Sequence, residues 1–106
     1  MDSIEHQPAN LSEDAVPAWR CYEAMNASKQ AHFAFLETLE LKYQNGGSRT
    51  LAEAAHLEGL LAEHNACVKA FVAAQKSLAS INAEAHKHFI ALLAEYNAHI
   101  GVNTPQ

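Results

Sequence analysis

The chain has 106 residues, and its 7 Lys and Arg against 12 Asp and Glu give a formal net charge of -5. That length favours one domain, and the acidic balance argues against nucleic acid as a partner, because phosphate binding needs an excess of cations. No apolar run approaches the ~20 residues of a membrane-spanning helix, and residues 1–17 lack the basic start and apolar centre of an export signal. We therefore expect a cytoplasmic protein that binds neither nucleic acid nor membranes.

The composition predicts an all-α fold. Alanine and leucine occupy 21 and 11 positions, whereas Val, Ile and Thr together occupy 11, a bias toward helix formers and away from residues that favour strands. Glycine and proline are few and cluster at two interruptions and the two ends, which leaves two long helical stretches, with Gly59 as the one internal glycine of the second. Cys21 and Cys67 are expected to stay reduced, since no secretory context or paired motif accompanies them.

The first helix is predicted from about residue 15 to about residue 45, after a mobile arm over residues 1–13. Asp14 is the expected N-cap and Pro17 falls in the first turn, where a missing N–H costs no bond. Spacings of three and four define one helical face. That face comprises Ala18, Tyr22, Met25, Lys29, His32, Phe33, Leu36, Leu39 and Tyr43.

A second, longer helix is predicted from about residue 51 to about residue 99. Gly46 and Gly47 end the first helix, and the run Thr50-Leu-Ala-Glu53 matches a capping box. The apolar pattern keeps its phase beyond residue 80, which favours one continuous helix within a single domain at 14–101, with a tail at 102–106. A break near Asn82 is the alternative, because Ser and Asn side chains compete for backbone hydrogen bonds.

The short connection predicts an antiparallel hairpin with arms of unequal length. Leu36 is expected opposite Leu60, and His32 opposite His64. Beyond residue 80 the longer helix has no partner in its own chain, so a second copy is expected to cover it and form a helical bundle as a homodimer. The alternative is a monomer in which the last third folds back as a third helix. The predicted interface comprises Trp19, Phe35, Ile81, Phe89, Leu92, Leu93 and Tyr96.

Three of the seven histidines, His32, His64 and His88, fall on the faces predicted to point inward. Imidazole suits zinc, nickel or copper, but a structural zinc site needs about four ligands. We favour neutral histidines that hydrogen-bond to neighbours, and we keep metal binding as the alternative.

No catalytic or cofactor motif is present, so we expect neither an enzyme nor a cofactor. The favoured interpretation is a self-associating helical protein that acts through protein–protein interaction, as an adaptor, a regulator or an inhibitor. Its acidic surface favours a partner with a basic patch. A helical bundle that binds a metal or a small ligand through its histidines is the alternative, and an apolar-ligand carrier stays open.

Overall fold

The computed structural model describes residues 10–102, with the side chains of residues 10–97. A 3-10 helix at Glu13–Ala15 precedes three α-helices, α1 (Val16–Lys42), α2 (Leu51–Ile81) and α3 (Ala83–Val102). The described residues form no β-strand, and the all-α prediction is confirmed. Within this part of the chain, no helix combines the length and the apolar character needed to span a bilayer.

The described residues fall into two compact units. We call Arg20–Val72 the hairpin unit, and residues 10–19 with 73–102 the terminal unit. The predicted arm at 1–13 and tail at 102–106 lie outside the described residues, apart from residues 10–13 and residue 102.

The start of α1 differs from the prediction in its cap. The 3-10 helix comes first, with Ala15 N donating to Ser12 O at 2.9 Å, and the Ser12 side chain makes no capping bond. Asp14 lies inside this short helix, so its assignment as the N-cap of α1 was wrong. Its carboxylate instead accepts a hydrogen bond from Asn82 Nδ2 at 3.1 Å. Pro17 does fall in the first turn of α1.

The connection between α1 and α2 is built as the sequence predicts. Gly46 and Gly47 have φ angles of 119° and 98°, a region that side chains with a Cβ disfavour. Glu53 N donates to Thr50 Oγ1 at 3.0 Å, and Thr50 N donates to Glu53 Oε1 at 2.9 Å. These reciprocal bonds confirm the capping box.

The helices of the hairpin unit run antiparallel, but their register differs from the prediction by about one turn. His64 meets Ser28, with Nδ1 and Oγ 2.9 Å apart, where the sequence predicted His32. The ring of Phe71 lies against Tyr22, with centroids 5.6 Å apart. α1 ends at Lys42, three residues before its predicted end. At the closed end Lys42 and Tyr43 still meet Glu53, close to the predicted level, and the difference is found further along the two helices.

The prediction of one continuous helix after Thr50 was wrong, and the alternative break is confirmed. α2 ends at Ile81 and α3 begins at Ala83. Asn82 caps α3, because its Oδ1 accepts from Ala85 N at 3.0 Å. The same side chain donates through Nδ2 to Asp14, so one amide both caps α3 and contacts the 3-10 helix.

The terminal unit has a packed core, which corrects the expectation that residues beyond 80 lack a partner in their own chain. Trp19 and Phe89 are 1% and 0% exposed and their rings meet at 88°, with centroids 6.5 Å apart. Tyr96 packs on the same indole, with centroids 5.5 Å apart. The other buried residues of this core are Ala15, Ala18, Leu78, Ala85, Leu92 and Leu93. Residues 13–19 therefore share a core with residues of α3.

Candidate interaction surface

The seven side chains predicted for an interface differ in how far they are buried. Four of them lie in the core of the terminal unit, namely Trp19, Phe89, Leu92 and Leu93. Phe35 is half-buried and meets His56 edge to face, with ring centroids 4.6 Å apart. Ile81 and Tyr96 are exposed. The predicted interface thus offers a partner far less apolar surface than the sequence suggested.

The hairpin unit exposes large apolar residues instead. Of its apolar side chains, Tyr22 and Leu39 are buried. Phe33 is 57% exposed, which overturns its assignment to the core, and Leu61 and Val72 are each 44% exposed. A two-helix layer covers one face of each helix and leaves the remainder open, so this unit has little interior of its own.

The two sides of the hairpin unit differ in side-chain size. An open groove of about 690 Å³ on one side is lined largely by small residues, including Ala24, Ala27, Ala31, Ala55 and Gly59. Two residues along a helix correspond to a rotation of about 200°, so Phe33 points away from Ala31, and Leu61 away from Gly59. We call the opposite surface the apolar side, formed by Phe33, Leu36, Leu61, Val68 and Val72.

Charged residues flank Phe33 along α1. Lys29 and Glu37 lie one turn before and one turn after it, and both are exposed. Neither takes part in an ion pair within the described part of the chain. Sequence reasoning had placed Lys29 and Phe33 on the inward face. The acidic residues that share this face, Glu37 and Glu40, are the signal that could have identified it as open.

The closed end of the hairpin unit is held by Glu53. Its carboxylate pairs with Lys42 Nζ, and it accepts from Tyr43 Oη at 2.6 Å and from Thr50 N at 2.9 Å. These donors, the Lys42 ammonium first, lower the pKa of Glu53 to about 2. The hydrogen bond to Glu53 in turn raises the pKa of Lys42 and of Tyr43. Glu53 therefore joins the two helices and is not free for chemistry.

His64 has a defined hydrogen bond across the hairpin. The Ser28 hydroxyl donates to the Met25 carbonyl at 2.8 Å, so its single proton is used there. The Nδ1 atom of His64, 2.9 Å from Ser28 Oγ, must then be the donor. This bond assigns the Nδ1–H tautomer to the neutral ring.

The other two histidines named from the sequence have separate neighbours. The ring of His32 lies beside Phe33, with centroids 5.8 Å apart. His88 is exposed, and its Nε2 lies 3.1 Å from the carbonyl oxygen of Asn10. Among the residues described, His, Cys, Asp and Glu form no group of three or more that is arranged to hold a metal ion. The metal alternative has no geometric support in this part of the chain.

No protein-family model, curated protein or solved structure matches the chain. Its function therefore has to be argued from its own surfaces. Of these, the apolar side of the hairpin unit is the surface whose exposure calls for an explanation.

Proposed function

We propose that this protein is a non-enzymatic, self-associating helical protein that acts through protein–protein interaction. The observation that supports this is the exposure of Phe33, Leu61 and Val72 on one side of the hairpin unit. Fully burying a large apolar side chain stabilises by about 1.5–3 kcal/mol. A second copy supplies a matching layer, and two such layers related by a two-fold axis make a four-helix bundle.

The proposed role is that of an adaptor, a regulator or an inhibitor of another protein. The net charge of -5 favours a partner that presents a basic patch. We place this activity in the cytoplasm, where the free thiols of Cys21 and Cys67 would stay reduced.

Self-association is tested by measuring the molecular mass by light scattering over a range of concentrations. We expect the mass of two chains for the wild type and of one chain for Phe33→Asp. Because Phe33 is more than half exposed, the variant should keep its helical circular dichroism. Ile90→Asp is the matched control, since Ile90 is an exposed apolar residue of the terminal unit, and it should stay dimeric. A single-chain mass for the wild type at every concentration would refute self-association.

Action on a second protein is tested in cells that express the chain with a photo-crosslinking amino acid at position 33 or at position 90. We expect position 33 to give adducts with another copy and with a specific partner, and position 90 to give neither. Adducts with the partner should diminish when Leu61→Asp is added. If position 33 gives no partner adduct above that of position 90, the proposed role is wrong.

A further inference from the structure

We propose that two copies dock through the part of their apolar sides around Phe33, Leu36 and Leu61, with α1 antiparallel to α1 of the other copy and centred on Phe33. In this arrangement Lys29 of each copy faces Glu37 of the other. This proposal rests on the self-association proposed above and adds the orientation and the register of the second copy.

The spacing of the charges supports this register. Lys29 and Glu37 lie four residues on either side of Phe33, about 6 Å along the axis in each direction, and within about 40° of it around the helix. A two-fold axis through the level of Phe33, perpendicular to the helices, reverses the direction of α1. It therefore brings each Lys29 opposite a Glu37 and gives two ion pairs of opposite charge around a Phe33–Phe33 contact.

The other way to stack two such layers is less favourable. A two-fold axis parallel to the helices would place α1 on α2 of the second copy with every residue at its own height. Since Phe35 contacts His56, Glu37 would then face the region around His56. The cation of α2 within the hairpin unit, Lys69, lies 13 residues further along, about 20 Å away. Glu37 would gain no partner in that arrangement.

The test reverses each charge separately and then together. In Lys29→Glu and in Glu37→Lys, both intermolecular pairs become repulsive, and we expect the dissociation constant of the dimer to rise at least about tenfold. The double variant restores both pairs and should return to the wild-type dissociation constant. An equimolar mixture of the two single variants should also associate, because each supplies the charge that the other lacks.

Matched controls separate this effect from net charge. Lys69→Glu and Glu63→Lys make the same changes of charge at exposed positions of α2, and Glu63 lines the groove on the opposite side. Both controls should keep the wild-type dissociation constant. The readout is molecular mass against concentration by analytical ultracentrifugation, with circular dichroism to confirm that each variant is folded.

The outcomes distinguish the register from self-association itself. Weakening by both single variants, together with recovery in the double variant and in the mixture, would establish the register. A wild-type dimer whose single variants behave like the controls would overturn the register and leave self-association standing. A wild-type monomer would overturn both.

Discussion

The two units of this chain differ in how far their aromatic residues are buried. In the terminal unit, Trp19 and Phe89 meet at right angles and are almost completely buried. In the hairpin unit, Tyr22 is buried against Phe71, whereas Phe33 is largely exposed on the same helix. One unit has therefore completed a core within a single chain, and the other has not.

The difference follows from how many helical surfaces each unit brings together. In the terminal unit the break at Asn82 allows α3 to share a core with residues 13–19, so Phe89, Leu92 and Leu93 of α3 are covered from within the chain. In the hairpin unit, two helices cover each other along one face only. Apolar burial is the dominant favourable term in folding, so we expect the terminal unit to carry most of the stability of the isolated chain. Self-association is expected to add stability mainly to the hairpin unit.

Truncating one phenylalanine in each unit is the most direct test of whether the two units differ in stability. Phe89→Ala removes a fully buried ring and should lower the free energy of unfolding by about 3–5 kcal/mol. Phe33→Ala should lower it by less than about 1 kcal/mol when measured below the concentration of dimer formation, because its side chain is already more than half exposed. Urea unfolding at micromolar concentration measures both. Equal losses would show that the two units do not differ as the burial indicates.

Substitutions at the break between α2 and α3 should destabilise the terminal unit less than Phe89→Ala does. Asn82→Ala removes the cap of α3 and the hydrogen bond to Asp14, and we expect a loss of about 1–2 kcal/mol. Asp14→Ala removes only the exposed hydrogen bond and should cost less. Ser80→Ala, at an exposed neighbouring position, is the control. If Asn82→Ala unfolds at the same urea concentration as the control, the cap does not stabilise the break.

The same contrast explains which features the sequence could predict. The capping box and the two glycines of the connection were predictable because every partner lies within a few residues along the chain. Asn82 at the break also contacts Asp14, 68 residues away, and local periodicity could not decide between a continuous and a divided helix. The exposure of Phe33 depended on where other helices lie, which the spacing of α1 alone does not specify.

The register of the hairpin unit differs from its prediction over most of its length. α1 ends at Lys42 in place of residue 45, and the pairs beyond the closed end lie about one turn from their predicted levels. As a result the expected His32–His64 layer became a Ser28–His64 hydrogen bond. Propensity and pattern locate the ends of helices poorly, and in a hairpin each end sets the level of every pair beyond it. The candidate metal ligands were affected because they depended on that level.

The pH dependence of unfolding should reveal how much the contacts of Glu53 stabilise the closed end of the hairpin unit. The pKa of Glu53 is about 2 in the folded chain, below its ordinary value of 4.5. A lowered pKa stabilises the fold above the unfolded value, and this contribution is lost as pH falls from about 4.5 to about 2. Glu53→Gln should remove that part of the acid dependence, and Tyr43→Phe should reduce it, since one of the donors is lost. A wild-type acid profile in Glu53→Gln would contradict this assignment.

The smallest expected effect concerns the hydrogen bond between Ser28 and His64 in the middle of the hairpin unit. Because Ser28 donates to Met25, it can only accept from the ring, so neutral His64 should carry its proton on Nδ1. The ring ¹⁵N chemical shifts of His64 should report this tautomer in the wild type and a mixture of both tautomers in Ser28→Ala. The variant should lose no more than about 1 kcal/mol of stability. An Nε2–H tautomer in the wild type would mean that the Ser28 hydroxyl donates to Nδ1 of His64 and not to the Met25 carbonyl.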